Sequence, residues 1–297
     1  MRSNPRPCSA ALILDRRRGS VIANARMYSV TPEVGEIWGR LLTALGRQAG
    51  IDLQIVAHAA PAPLAELWQR EDKAAVFMCG LPFARASFPA QLLVAPVPSP
   101  PAFQGQPRYW SELVVHRDSP HTTLADTFGR RIAFTVADSQ SGYAAALDSL
   151  RSQPGEFPRF SEIVAPRITP LGALSAVIEG LADVAPVDSY ALGLLDRYRP
   201  ELTARVRSLT STPHTPIPPL VCSPGAFVSR ASLEALRAAF LNAHTDIELQ
   251  PLLQALLLER FVLPDAGAYD ALRTTFERSL EYWRTHRLAS VVHPAFL

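Results

Sequence analysis

The chain has 297 residues, a formal net charge of +2, 48% hydrophobic residues and 19% charged residues, a composition that supports a sizeable folded core. The balanced charge and the lack of a basic stripe exclude nucleic-acid binding by electrostatics, and no apolar run is long enough to span a bilayer. Three scattered cysteines, Cys8, Cys79 and Cys222, exclude a disulfide framework or a zinc site. Residues 1–20 read as an extension outside the fold, with the native chain expected to begin near Val21. Arg2 and Arg6 precede the short apolar run PCSAALIL, which runs into DRRRG at 15–19. A signal peptide needs an apolar region of about 7 to 15 residues and then a small-residue cleavage site. The expectation is therefore a cytoplasmic chain as written, or a periplasmic one if export uses an unrecognised signal.

The first strand is SVIANARMY. A helix over 31–48 follows, with Thr31 as its cap, Pro32 at the first helical position and Ile37, Leu41, Leu42 and Leu45 at helical spacing. IDLQIVAH reads as a strand, PLAELWQRE as a short helix, and KAAVFMCG and QLLVAPV as strands. The continuous apolar run KAAVFMCG suits a buried parallel strand. The proline-rich stretch 96–108 is the best internal boundary. Beyond it come the strand YWSELVVHR, a helix-like TLADTFG and the strand RRIAFTV. The turn TVADSQSGYAAAL then opens a helix. EIVAPRIT is a strand, PLGALSAVIEGLA a helix, DVAPVDSYALGLL a strand entering a helix, and RVRSLTSTPH a strand. A second proline-rich break covers 213–219. LVCSPGAFV is extended, and 229–258 and 266–285 read as helical. Alternating strands and helices predict an α/β protein with parallel sheets. The two breaks predict an inserted second lobe and a cleft between the lobes.

The polar turn at 138–142 sits where a strand meets a helix. Helix N-termini leave N–H groups unpaired and carry partial positive charge. Small residues with hydroxyls there suit an anion, and they equally suit plain capping.

The middle of the chain resembles the phosphate/phosphite/phosphonate substrate-binding proteins of ABC transporters, in the type 2 periplasmic-binding-protein superfamily. The resemblance rests on SELVVHRDSPHTTLADTFGRRIAFTVADSQSGYAAAL, on ALSAVIEGLADVAPVDSYAL and on VRSLTSTPHTPIPPLVCS. IANARMYS and VFMCGLPFA look like the first-lobe loops of a related subgroup. It implies a two-lobed α/β fold with a ligand cleft and a two-strand hinge, lobe I being 21–108 and 226–297 and lobe II 109–225. It further implies that Ser139, Gln140, Ser141, Gly142 and Tyr143 hold an anionic head group, phosphonate- or phosphate-like. Tyr28, Cys79 and Gly80 would close over it from the first lobe, and Asp188 would contact a polar or cationic part of the ligand. Tyr28 also reads as a rim aromatic, Cys79 as a small core residue and Asp188 as a helix cap. Two features differ from the family pattern. The stretch ITPLGAL at 168–174 has no histidine where members carry GSH, and the middle of the turn is Gln140. The ligand class therefore extends to other small anions and neutral compounds.

The partners implied are a small-molecule ligand and an ABC permease. No cofactor, metal or catalytic residue is expected. The seven histidines form no H-x-x-x-H pattern, and there is no G-x-S-x-G elbow. The alternative is a cytoplasmic sensor or an enzyme on the same fold.

Overall fold

The computed structural model describes residues 20–227 and 229–291. The expected extension lies outside them except for Ser20. The strands are β1 (Val21–Asn24), β2 (Leu53–Ile55), β3 (Lys73–Phe77), β4 (Gln91–Pro98), β5 (Arg108–Tyr109), β6 (Ser111–His116), β7 (Arg131–Ala133), β8 (Phe160–Val164), β9 (Ala185–Asp188), β10 (Val206–Ser211), β11 (Thr215–Pro216), β12 (Leu220–Cys222), β13 (Leu258–Val262) and β14 (Ala289–Val291). The helices are α1 (Pro32–Gln48), α2 (Leu64–Gln69), α3 (Gly80–Ala84), α4 (Ala145–Arg151), α5 (Pro170–Ile178), α6 (Ser189–Tyr198), α7 (Pro200–Thr203), α8 (Arg230–Asn242), α9 (Gln250–Ala255) and α10 (Ala266–His286).

The first lobe is built on a six-stranded sheet in the order β13-β4-β12-β3-β1-β2. β1 runs parallel to β2 and β3, and β12 runs antiparallel to β3 and β4. Every residue of β3 is buried: residues 74–77 are apolar, and Lys73 Nζ donates to Arg70 O and Ser223 Oγ. α1 covers this sheet with Val34, Ile37, Trp38, Leu41, Leu42 and Leu45. Thr31 Oγ1 accepts from Val34 N at 3.2 Å and caps it. Pro96 and Pro98 fall on the part of β4 that pairs with β13, past its pairing with β12. The strand therefore runs on into the proline-rich stretch, with its N–H-less residues away from the three-strand centre. β13 begins at Leu258, the last residue of the stretch read as helical.

The second lobe carries β10-β6-β9 and β14-β8-β7, joined by a parallel bridge between Ile132 and Val184. The chain crosses between lobes through β5 and returns through β11. These two short strands pair antiparallel, Tyr109 with Thr215 and Arg108 with Pro216, forming the two-strand hinge at the proline-rich breaks.

The assignment of 226–297 wholly to the first lobe requires correction. β14 pairs in parallel with β8, and Phe276, Trp283, Leu288 and Ala289 pack into the second-lobe core. α10, 21 residues and about 30 Å long, spans both lobes. At its start Tyr269 Oη donates to Ile217 O at 2.8 Å, and at its end Trp283 Nε1 donates to Leu147 O at 3.0 Å.

Candidate functional site

A cavity of about 410 Å³ lies between the lobes. Its first-lobe wall comes from residues 26–30, from 60–65 and from Trp68 and Cys79; its second-lobe wall comes from Thr135, Val136, Asp138, Ser139, Ser141 and Gly142, from 168–171, and from Pro186 and Asp188.

Tyr28 is set by the turn that ends β1. Asn24 holds that turn, donating from Nδ2 to Val56 O and accepting from Arg26 N, both at 2.8 Å. The Tyr28 ring, 1% exposed, stands edge-on to Phe77 and Tyr190. Its hydroxyl reaches Asp188 Oδ2 at 3.5 Å across the cleft.

Opposite lies the polar turn. Ser139 Oγ accepts from Gly142 N at 2.9 Å, and Ala144 N bonds back to Ser139 O. The result is a π-helical turn, Gln140–Ala144, of the kind often found at functional sites. Gly142 is required by close approach, since a Cβ there would lie 2.0 Å from Thr135 Oγ1. Ser111 Oγ donates to Ser141 O at 2.7 Å, and Ser141 Oγ donates to Asp188 Oδ2 at 3.3 Å.

Asp188 divides its two oxygens. Oδ1 accepts from Tyr190 N and Ala191 N, both at 2.9 Å, and caps α6. Oδ2 faces the cavity with Tyr28 and Ser141. The capping reading and the binding reading therefore occupy separate atoms of one side chain. Burial pushes its carboxyl up to about 6, against the pull of the hydrogen bonds it accepts from Ala191, Tyr190, Ser141 and Tyr28. Burial likewise raises Asp138, partly offset by Arg85. Arg26, whose guanidinium donates to Ala62 O, is held below its ordinary value by burial. Cys79 Sγ accepts from Gln140 N at 3.1 Å, a contact that ties the two lobes together. Burial lifts its thiol to about 12, so it stays protonated and is a poor nucleophile. Among the described residues no group of three or more His, Cys, Asp or Glu could hold a metal ion.

A family model described as ABC transporter, phosphonate, periplasmic substrate-binding protein matches residues 29–269. The chain belongs to this family. No curated protein sequence matches it. Solved structures share the two-lobed fold of this substrate-binding family at low identity. A binding component of an ABC phosphonate transporter from Pseudomonas aeruginosa has 17% identity and a TM-score of 0.72, over 93% of this chain and 91% of that one. PhnD1 from Prochlorococcus marinus, in complex with methylphosphonate, has 14% identity and a TM-score of 0.73, over 89% and 98%. A Xanthomonas citri protein bound to ATP has 17% identity and a TM-score of 0.63, over 89% and 98%.

In this substrate-binding protein the cavity wall includes Tyr28, Cys79, Ser139, Ser141, Gly142 and Asp188. Gln140, Tyr143 and Gly80 are not part of it. Gln140 contributes its main-chain N–H to Cys79 while its side-chain Oε1 is buried without a hydrogen bond. Tyr143 points into the second-lobe core, edge-on to Phe134 at 5.0 Å. Gly80 faces α10, where a Cβ would lie 2.8 Å from Leu272. The wall also holds Thr135, Trp68 and Ile168, and Asp138 at the start of the polar turn, none of which the resemblance implies as a ligand contact. Asp138 sits inside the quoted motif, and Ile168 inside the stretch marked only for its missing histidine. Trp68 carried no signal at all.

Proposed function

We propose that the chain captures a small phosphonate- or phosphate-like anion by closing its lobes and passes it to an ABC permease. The observation that carries this reading is the cavity itself, walled by both lobes and bordered by two cross-lobe contacts, Gln140 to Cys79 and Tyr28 to Asp188. Those contacts form only when the lobes approach, so closure and the completed site coincide. In this reading Ser139, Ser141 and Gly142 hold the head group, and Tyr28 and Cys79 cover it. Asp188 presents Oδ2 beside Ser141. The family's description supports the periplasmic of the two compartments left open by the sequence, and no helix among the described residues is long and apolar enough to cross a membrane. The protonated Cys79 thiol supports binding without turnover.

The test is titration of methylphosphonate by calorimetry as a function of pH. An anion placed at Ser141 meets the Asp188 carboxyl, which is neutral below about 6 and charged above it. Affinity for the anion falls as pH rises through that point, and Asp188→Asn flattens the profile. The amide keeps an oxygen for the α6 cap and presents NH2 to the cavity. A wild-type affinity that instead rises with pH relative to Asp188→Asn rejects the anionic head group.

A further inference from the structure

The cavity is far larger than a phosphate needs. With a liquid share of about 30 Å³ per water, its 410 Å³ would hold roughly a dozen waters, while methylphosphonate has only a handful of non-hydrogen atoms. Beside the polar groups described above, the lining includes Met27, Pro61, Leu64 and Trp68 from the first lobe and Ile168 and Leu171 from the second, an apolar part of the wall to which both lobes contribute, with the Arg26 guanidinium on Ala62 O beside it. Trp68 is fixed by donating from Nε1 to Phe77 O at 2.9 Å.

The second-lobe side is held in place by strain. Ile168 has φ +63°, in the left-handed region where a β-branched residue is a genuine outlier. The surroundings enforce it. Arg167 N donates to Phe134 O and Thr135 O, and Ile168 N to Thr135 O. Gly172 lies so close to Arg167 O that a Cβ there would come within 2.0 Å of it. Such enforced outliers collect at ligand clamps. Here the clamp sets Ile168 and Leu171 in the wall.

We infer that this apolar part of the wall is a subsite for an apolar body, so that the ligand is an organic molecule with a ring or branched alkyl group joined to its polar head. This rests on the solute-capture reading above and specifies its substrate class. A sheltered apolar pocket gains affinity from each carbon group that fills it, and an empty one forfeits those contacts.

Binding is compared by calorimetry within two pairs of probes: methylphosphonate against phenylphosphonate, and methylamine against benzylamine. The larger member of a pair binds about 30-fold tighter or more, as expected for burying a group the size of an aromatic side chain. Leu64→Ser and Leu171→Ser, both at half-buried positions, bring that ratio towards one while leaving the affinity of the small member unchanged. Their melting temperatures, measured alongside, report whether each variant folds. Equal affinities within a pair that binds overturn the subsite and leave solute capture standing. An undiminished ratio in both folded variants overturns it as well. If none of the four probes binds at millimolar concentration, solute capture fails and the subsite with it.

Discussion

On the second-lobe side of the cavity the turn at 138–142 is fixed by hydrogen bonds, from Gly142 N to Ser139 Oγ, from Ser111 to Ser141 and from Ser141 to Asp188. On the first-lobe side, residues 60–65 and Trp68 present prolines, alanines, a leucine and an indole. Hydrogen bonds are directional and costly to leave unmade, so the turn suits selection by chemistry. Packing is non-directional and scales with area, so the 60–65 and Trp68 surface, like Ile168 and Leu171 across from the first lobe, suits selection by size and shape. Tyr28 joins the two modes, its ring packed against Phe77 and its hydroxyl on Asp188.

The contrast can be broken by changes on the hydrogen-bonded side. Gly142→Ala drives a methyl onto Thr135, whose Oγ1, Cγ2 and Cβ all lie within 3 Å of the new atom. Expected are a loss of about 3 kcal/mol or more in denaturant unfolding and no measurable methylphosphonate binding. A variant of wild-type stability shows the turn to be more pliable than its contacts imply.

Asp188→Asn has the next largest effect. A carboxyl raised from 3.8 to about 6 binds more protons in the folded state than in the unfolded one. Its contribution to stability is therefore present in acid and lost as pH rises between about 4 and 6. The span amounts to about 3 kcal/mol, and Asp188→Asn removes that slope from the stability–pH curve. An unchanged slope places the titration on another group.

Ser139→Ala removes the oxygen that accepts from Gly142 N and costs about 1 kcal/mol in chemical denaturation. No change at all means that the π-helical turn is held by Ser111 and the sheet instead. Ile168→Gly is the smallest. Relief of the left-handed backbone and loss of a half-buried side chain nearly cancel, leaving stability within about 1 kcal/mol of wild type. A loss above about 3 kcal/mol, ordinary for a core residue, refutes the strain argument.

What the sequence made legible was local. Thr31 as a cap, the buried run of β3, the polar turn opening a helix and the proline-rich breaks all follow from residues within a few positions of one another. The misreadings have more than one source. A π-helical turn places one extra residue in the ring, so Gln140 and Tyr143 leave the face that a simple helix start assigns to them. β13 follows directly on a leucine-rich run that helices and buried strands share, and the helical reading overran it only at Leu258. The pairing of β14 with β8 joins residues about 130 positions apart in chain, and nothing in the local pattern announces it. Ile168 is legible in neither sense, because a β-branched residue predicts the opposite backbone.

The pairing of β14 with β8 also sorts the ends of the described chain. It enters through Val21 in the first-lobe sheet and leaves through Val291 beside Glu162 in the second. The separation of these two points therefore changes whenever one lobe rotates against the other. Fluorescent proteins fused before the first strand and after the last would form an energy-transfer pair driven by lobe closure itself. The molecule could be turned into an optical sensor for its solute without altering a residue of the cavity.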